Sequence, residues 1–243
     1  NVIITPQCPN LEPDYQSLIN RLPAECFQID NVSKSNSHLF LIDNCVVFPS
    51  NVLVVQESAY QNTKICFFFV YGEQVRKLEN YSFYACQQLR KVIFPQLLEI
   101  KNSCFESCVQ IEAFIAPKCS LFGRNALSCT TNLKHFVACP KILSTSLFYM
   151  SGIEYLDLKS VEQIKDEAFA FSMLLGLKVE NCKIFAENSL KNEYCCSGDD
   201  VLNCQNLRVV GNKLLKIATF VQREKIIKKK FFAISDESGC TQR

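Results

Sequence analysis

One short pattern, Lxx(apolar)x(apolar), recurs along this chain at nearly constant spacing and constrains the fold more than any other feature. It occurs as Leu89-Arg-Lys-Val92-Ile-Phe94, Ile111-Glu-Ala-Phe114-Ile-Ala116, Leu133-Lys-His-Phe136-Val-Ala138, Ile153-Glu-Tyr-Leu156-Asp-Leu158 and Leu174-Leu-Gly-Leu177-Lys-Val179. Leu207-Arg-Val-Val210 is a truncated sixth copy. The starts at 89, 111, 133, 153, 174 and 207 are separated by 22, 22, 20, 21 and 33 residues, the last interval being lengthened by a segment containing Cys195-Cys-Ser-Gly-Asp-Asp. A unit of this size cannot bury its apolar face alone, but stacked copies bury one continuous core.

Two further columns run in phase with the strand pattern. An apolar residue precedes each start by five or six positions: Phe83, Phe105, Leu127, Phe148, Phe169 and Val201. Three residues after each comes a small one: Cys86, Cys108, Thr130, Ser151, Ser172 and Cys204. A position that accepts cysteine, threonine and serine is not a metal ligand or a redox thiol. It is a buried small side chain at a tight turn, where cysteine acts as a small apolar residue with a weak donor. Cys104 has no cysteine counterpart in neighbouring units and reads as a space-filler, with a reversible Cys104–Cys108 disulfide as the alternative. A third column, Leu78, Ile100, Phe122, Leu143 and Ile164, marks a bend earlier in each unit.

The segments Ser82-Phe83-Tyr-Ala-Cys86-Gln-Gln-Leu89-Arg-Lys-Val92-Ile-Phe94-Pro95 and Cys104-Phe105-Glu-Ser-Cys108-Val-Gln-Ile111-Glu-Ala-Phe114-Ile-Ala116-Pro117 resemble the BspA-like branch of the leucine-rich repeats. The resemblance covers about residues 78–217; later units depart from it, with Cys139 and Lys159 standing where Pro95 and Pro117 stand earlier. It implies a leucine-rich-repeat solenoid: an α/β-type horseshoe or arc with parallel strands on the concave face and short turns or helical segments on the convex face. Members of the family are often cell-surface or secreted proteins of microbes and parasitic protists with roles in adhesion, so the resemblance implies that role here.

Three regions are expected. Residues 1–77 form an irregular N-terminal cap, with Pro6, Pro9, Pro13 and Pro23, followed by degenerate repeats. Counting back by 22 places Phe67-Phe-Phe-Val70 and then Cys45-Val-Val-Phe48 in the strand position. Residues 78–217 form the repeat core, and 218–243, with Lys228-Lys229-Lys230, a C-terminal cap or basic tail.

Little in the chain points to chemistry. Net charge is +2 and charged content 21%, which gives no electrostatic footprint for nucleic acid or an anionic membrane. Seven glycines include no GxGxxG or P-loop, and no apolar run approaches membrane-spanning length. Fifteen cysteines, an odd number without a CxxC, cannot all pair internally, and with only His38 and His135 a zinc site would need mostly thiolate. His135 is expected to face solvent on a strand, and no cofactor or metal is expected. Asn31-Val-Ser33 and Asn80-Tyr-Ser82 are glycosylation sequons of the frequency chance provides.

Side chains alternate across a strand, so the residues between the apolar positions face outward. One such row is Lys91, Ala113, His135, Tyr155 and Gly176; the other is Ile93, Ile115, Val137, Asp157 and Lys178. The second opens with three aliphatic residues, readable either as an interaction stripe or as β-branched packing along the sheet. The candidate partner-binding residues on this concave face are Lys91, Ile93, Ile115, His135, Val137, Tyr155, Asp157 and Lys178. The expected function is a non-enzymatic module binding a protein ligand, with the oligomeric state open. An intracellular scaffold with reduced cysteines is the alternative reading; a thiol enzyme would instead need one hyper-reactive cysteine beside a histidine.

Overall fold

The computed structural model describes residues 13–63, 66–190 and 208–210. Pro6, Pro9, the 195–200 insertion, Val201, Cys204, Leu207 and the 218–243 segment, all singled out from sequence, lie outside the described residues.

The repeat pattern closes into a parallel β-solenoid with little helix. Each unit contributes a long strand, a two-residue strand and a compact turn. The long strands Cys45–Phe48, Phe69–Gly72, Lys91–Ile93, Ala113–Ile115 and His135–Val137 pair in parallel, and Leu41–Ile42 caps their first edge antiparallel. Tyr155–Asp157, Gly176–Lys178 and Arg208–Val210 form a separate three-stranded sheet. The bend column becomes two-residue strands in two further sheets, one ending at Leu121–Phe122 and one starting at Ile142–Leu143, with Leu78, Ile100, Phe122, Leu143 and Ile164 buried. The connecting segments are mostly turns and short strands, with single 3₁₀ turns of helix at Ala24–Gln28, Ser37–Phe40 and Glu187–Leu190.

Every apolar position of the strand pattern from Leu89 to Val179 points inward, at 7% exposure or less. The aromatic column packs as a stack: Tyr60 on Phe83 at 5.0 Å, Phe83 on Phe105 at 5.2 Å and Phe148 on Phe169 at 5.4 Å, with Leu127 standing in the gap. Each stacked pair adds about 0.5–1.5 kcal/mol beyond area burial. Gly72 lies in the inward column that elsewhere holds Phe48 and Phe94; a Cβ there would sit 2.8 Å from the Phe94 ring, and the two phenylalanines stack across the space it leaves, 6.3 Å apart. Val52, Val75, Leu97, Cys119, Pro140, Val161 and Cys182 form a further buried column, so the last two cysteines fill sites that valine and leucine fill elsewhere.

The turns make a third ladder. The N–H groups of Tyr81, Phe83 and Ala85 donate to Asn102, Cys104 and Glu106 carbonyls of the next unit at 3.1, 3.0 and 2.9 Å. Those of Ser82, Tyr84 and Cys86 donate back to Glu79, Tyr81 and Phe83. This alternation holds Tyr81 and Ala85 at φ 56°, and Ser103 and Ser107 at 54° and 62°, a left-handed backbone that costs non-glycine residues about 1–2 kcal/mol. At Phe94 and Ala116 the chain leaves the strand through β-turns closed by Leu97 and Cys119, with Pro95 and Pro117 at the second position, where their fixed φ is pre-organised. Lys159 occupies the equivalent place in a turn closed in the same way by Val161, so the turn forms without proline.

Three placements differ from the sequence reading. Val46 lies opposite Val70, so Cys45 aligns with Phe69 rather than with Phe67. The slip is two residues, which preserves the inward face. In the truncated copy, Val209 rather than Val210 lies opposite Leu177. The start of the chain also contains a helix, Tyr15–Asn20, where only irregular structure was expected. Asp14 caps it, its Oδ1 accepting from Gln16 and Ser17 N–H at 3.2 and 3.3 Å, and it buries Leu18 and Ile19.

Candidate interaction surface

The outward rows of the long strands are arranged by the same pairing. Ile93, Ile115 and Val137 stand opposite one another on adjacent strands, as do Lys91, Ala113 and His135. The three aliphatic side chains are half-buried and His135 is exposed. The stripe extends beyond what periodicity suggested, because Tyr71 lies opposite Ile93 and Val47 opposite Tyr71. At that end the face is covered: Val47 is buried, and the Tyr15 ring of the helix stacks on Tyr71 at 4.6 Å, 8° from parallel. The signal for this helix was the Asp14 cap followed by Leu18, Ile19 and Leu22.

Tyr155, Asp157 and Lys178 share a face in the separate three-stranded sheet of long strands, but no strand pairing links Tyr155–Asp157 to His135–Val137. The predicted residues thus fall into two groups. Gly176 is buried, ending the first row. Lys178 is engaged by Asp157 at 3.5 Å and Glu180 at 3.3 Å. Burial lowers its pKa, but the two carboxylates outweigh this and hold the ammonium above its ordinary value. The Oδ1 of Asp157 is shielded and has no hydrogen-bond partner among the described residues.

Several buried cysteines are held in the reverse of a nucleophile's environment. Burial pushes the Cys104 thiol up to about 12, and Cys86 and Cys119 are likewise raised, chiefly by burial. A reactive cysteine needs a lowered pKa or an adjacent base. Cys86 and Cys108 donate instead to the carbonyls of Tyr60 and Phe83, at 3.3 and 3.0 Å. Cys104 donates to the Glu79 carbonyl at 2.9 Å and accepts from the Ser82 hydroxyl at 3.4 Å. Ten cysteines are free among the described residues, Cys104 and Cys108 included. His38 and His135 are exposed. No group of three or more His, Cys, Asp or Glu side chains there is arranged to hold a metal, and no helix is long and apolar enough to cross a membrane.

Stacked parallel strands, a continuous apolar core and a turn ladder define a repeat solenoid. The chain belongs to the BspA type leucine-rich repeat family, whose model matches six copies over residues 20–146 and 53–175. Among solved structures it is similar to a T. pallidum leucine-rich repeat protein (18% identity, 70% of this chain and 82% of that one, TM-score 0.44). It is also similar to a leucine-rich repeat protein from Bacteroides ovatus ATCC 8483 (16% identity, 69% and 55% coverage, TM-score 0.45). A leucine-rich cell surface protein from Faecalibacterium prausnitzii A2-165 is similar too (13% identity, 77% and 65% coverage, TM-score 0.40). No curated protein matches the chain.

Proposed function

We propose that this chain is a non-enzymatic protein-binding module whose partner lies along the outward face of the long strands. The observation that carries this is the aliphatic stripe Ile93–Ile115–Val137, half-exposed, in paired register and continuous with Tyr71. The protein already covers the Tyr71 end of that stripe with its own Tyr15 ring, so the face accepts apolar cover. Lys91 and His135 flank the stripe, and Tyr155, 44% exposed, stands beyond it as an aromatic anchor. The Asp157–Lys178 pair gives the far end a polar rim that fixes orientation more than it adds affinity.

The family resemblance favours a surface adhesion role. The ten free cysteines favour the second reading, an intracellular scaffold in a reducing compartment. Capture of binding proteins by the wild type and by Ile115→Asp, with thermal unfolding measured in parallel, tests the site. Lost capture with unchanged unfolding supports it; equal capture places the partner elsewhere; a collapsed melting temperature means the stripe is covered. Thiol counts on protein from its native source separate the two settings: disulfides favour the surface, free thiols the scaffold.

A further inference from the structure

On the face formed by the turns, away from the long strands, four successive units outline a groove of about 750 Å³. That is within the size range of ligand sites, ~300–1,000 Å³. Its origin is a change in two columns. In an earlier turn Tyr81 and Tyr84 fill these positions, packed edge to face at 5.8 Å. In the later turns the same columns hold Asn125, Ser146 and Glu167, and Ser128, Tyr149 and Ala170. Ser128 and Ala170 are buried and too small to fill the space, which leaves a hollow floor. Tyr149 and Phe171 form one wall, edge to face at 5.3 Å, beside exposed Met150.

The polar lining is unbalanced. Glu106 and Glu167 face one guanidinium, Arg124, and none of the three makes an ion pair among the described residues. Glu167 is oriented by the Ser146 hydroxyl, which donates to its Oε2 at 3.1 Å and leaves the other oxygen available. The Oδ1 of Asn125, in the same lining, is shielded and has no donor. Turning that amide toward the groove would let a bound donor supply one. Carboxylates thus outnumber cations two to one, beside an aromatic wall.

We infer that this groove binds a lysine or arginine side chain carried by an extended segment of a partner protein. A cation meets both the carboxylates and the ring faces. An anion is repelled, and a neutral ligand leaves the carboxylates without a counter-charge. Turns stack about 4.8 Å apart, so four span about 14 Å. That is the length of about four extended residues, and more than a single ammonium group needs.

The test titrates the full chain with a blocked pentapeptide, acetyl-Gly-Arg-Gly-Lys-Gly-amide, following calorimetry and backbone amide shifts. The controls are the same peptide with glutamine at both basic positions, spermidine, and maltotetraose. The expected result is saturable binding of the basic peptide alone, with shifts confined to residues 103–107, 124–129, 146–150 and 167–171. Glu106→Gln with Glu167→Gln should weaken it about tenfold or more, with thermal unfolding unchanged. Tyr149→Ala should weaken it less, and Ile115→Asp, on the other face, not at all. No binding at millimolar peptide, equal binding of the glutamine peptide, or retained affinity in the double variant would overturn the inference. Spermidine binding as well as the peptide, or maltotetraose occupying the groove, would overturn it too, by making the site one for free amines or for sugars.

Discussion

The units before Val137 and those after Tyr155 follow one pattern but differ in length. From the aromatic column to the strand, Phe105 to Phe114 and Leu127 to Phe136 each span one residue more than Phe148 to Leu156 and Phe169 to Leu177. At this change the long-strand hydrogen bonds stop, yet the core does not. Leu133, Ile153 and Leu156 remain buried, and Phe136 meets Phe148 edge to face at 5.0 Å. The turn ladder also crosses: Leu127 and Cys129 N–H donate to Leu147 and Tyr149 at 3.2 and 2.7 Å. The comparison teaches that apolar burial, being non-directional, absorbs a one-residue change that a directional strand ladder does not. The outward faces differ as well, aliphatic before the break and charged after it.

The largest expected effect lies in the aromatic column. Phe105 stacks on Phe83 and also meets Phe114 at 5.7 Å, whereas Phe169 stacks on Phe148 alone among the described residues. Phe105→Ala should cost about 3–5 kcal/mol in denaturant unfolding, with Phe169→Ala toward the lower end of that range. Losses under about 0.5 kcal/mol for both would break the stacked-column description. A larger cost at Phe169 would reverse the expected ranking of the two regions.

The break itself rests on Gly152. Where the connection is a residue shorter, its backbone comes down onto the preceding turn: Gly152 N–H donates to the Thr130 carbonyl at 3.0 Å, and a Cβ there would sit 2.0 Å from the Thr131 oxygen. Gly152→Ala must move backbone and should cost about 1–3 kcal/mol. Hydrogen exchange should show residues 155–185 losing protection while 91–137 keep theirs. Uniform loss would mean that the two regions unfold as one.

What was legible from sequence follows the same division. The strand pattern, the aromatic column and the small-residue column could be read because burial restricts which side chains fit. Tyr60 heads the aromatic column but was missed in the sequence, where it stands 23 residues before Phe83 and breaks the run of phenylalanine and leucine. The break after Val137, the Val209 register and the left-handed turns were not legible. They are decisions of backbone hydrogen bonding, which imposes little on side-chain identity, and the left-handed positions carry Tyr81, Ala85, Ser103 and Ser107 without one glycine. The candidate stripe was read correctly as to which residues neighbour one another up to Val137, because register follows the columns there. That Lys178 is held by Asp157 and Glu180 needed the geometry.

A smaller effect separates the regions by pH. Burial raises the Cys104 thiol from an ordinary 9.0 to about 12. Between those values the unfolded chain ionises this thiol and the folded chain does not, so stability is intact below pH 9 and falls as pH rises toward 12, by up to about 1.4 kcal/mol per pH unit. Cys86 and Cys119 act in the same direction. The later units hold Ala168 in the Cys104 column and Ser151 and Ser172 in the Cys86 column, which do not titrate in this range, and keep one thiol raised by burial, Cys182 in the Cys119 column. Urea unfolding at about pH 8 and about pH 10 should therefore show an alkaline loss that Cys104→Ala reduces. A pH-independent midpoint would mean the thiols are reached by water.

The smallest effect concerns how the small-residue column changes partner between the regions. Cys108 donates across to the Phe83 carbonyl of the preceding unit at 3.0 Å, whereas Thr130 and Ser172 donate within their own units, to Leu127 and Phe169 at 2.8 and 2.7 Å. The longer C–S bond reaches the neighbouring unit, and the hydroxyl closes its own turn. Cys108→Thr should turn inward to the Phe105 carbonyl and cost about 1 kcal/mol or less. Cys108→Val keeps the shape without the donor, and its cost should exceed that of threonine by about the same amount. If valine proves the better tolerated in parallel urea titrations, the column is apolar packing alone, and the difference between cysteine-bearing and hydroxyl-bearing units carries no energetic weight.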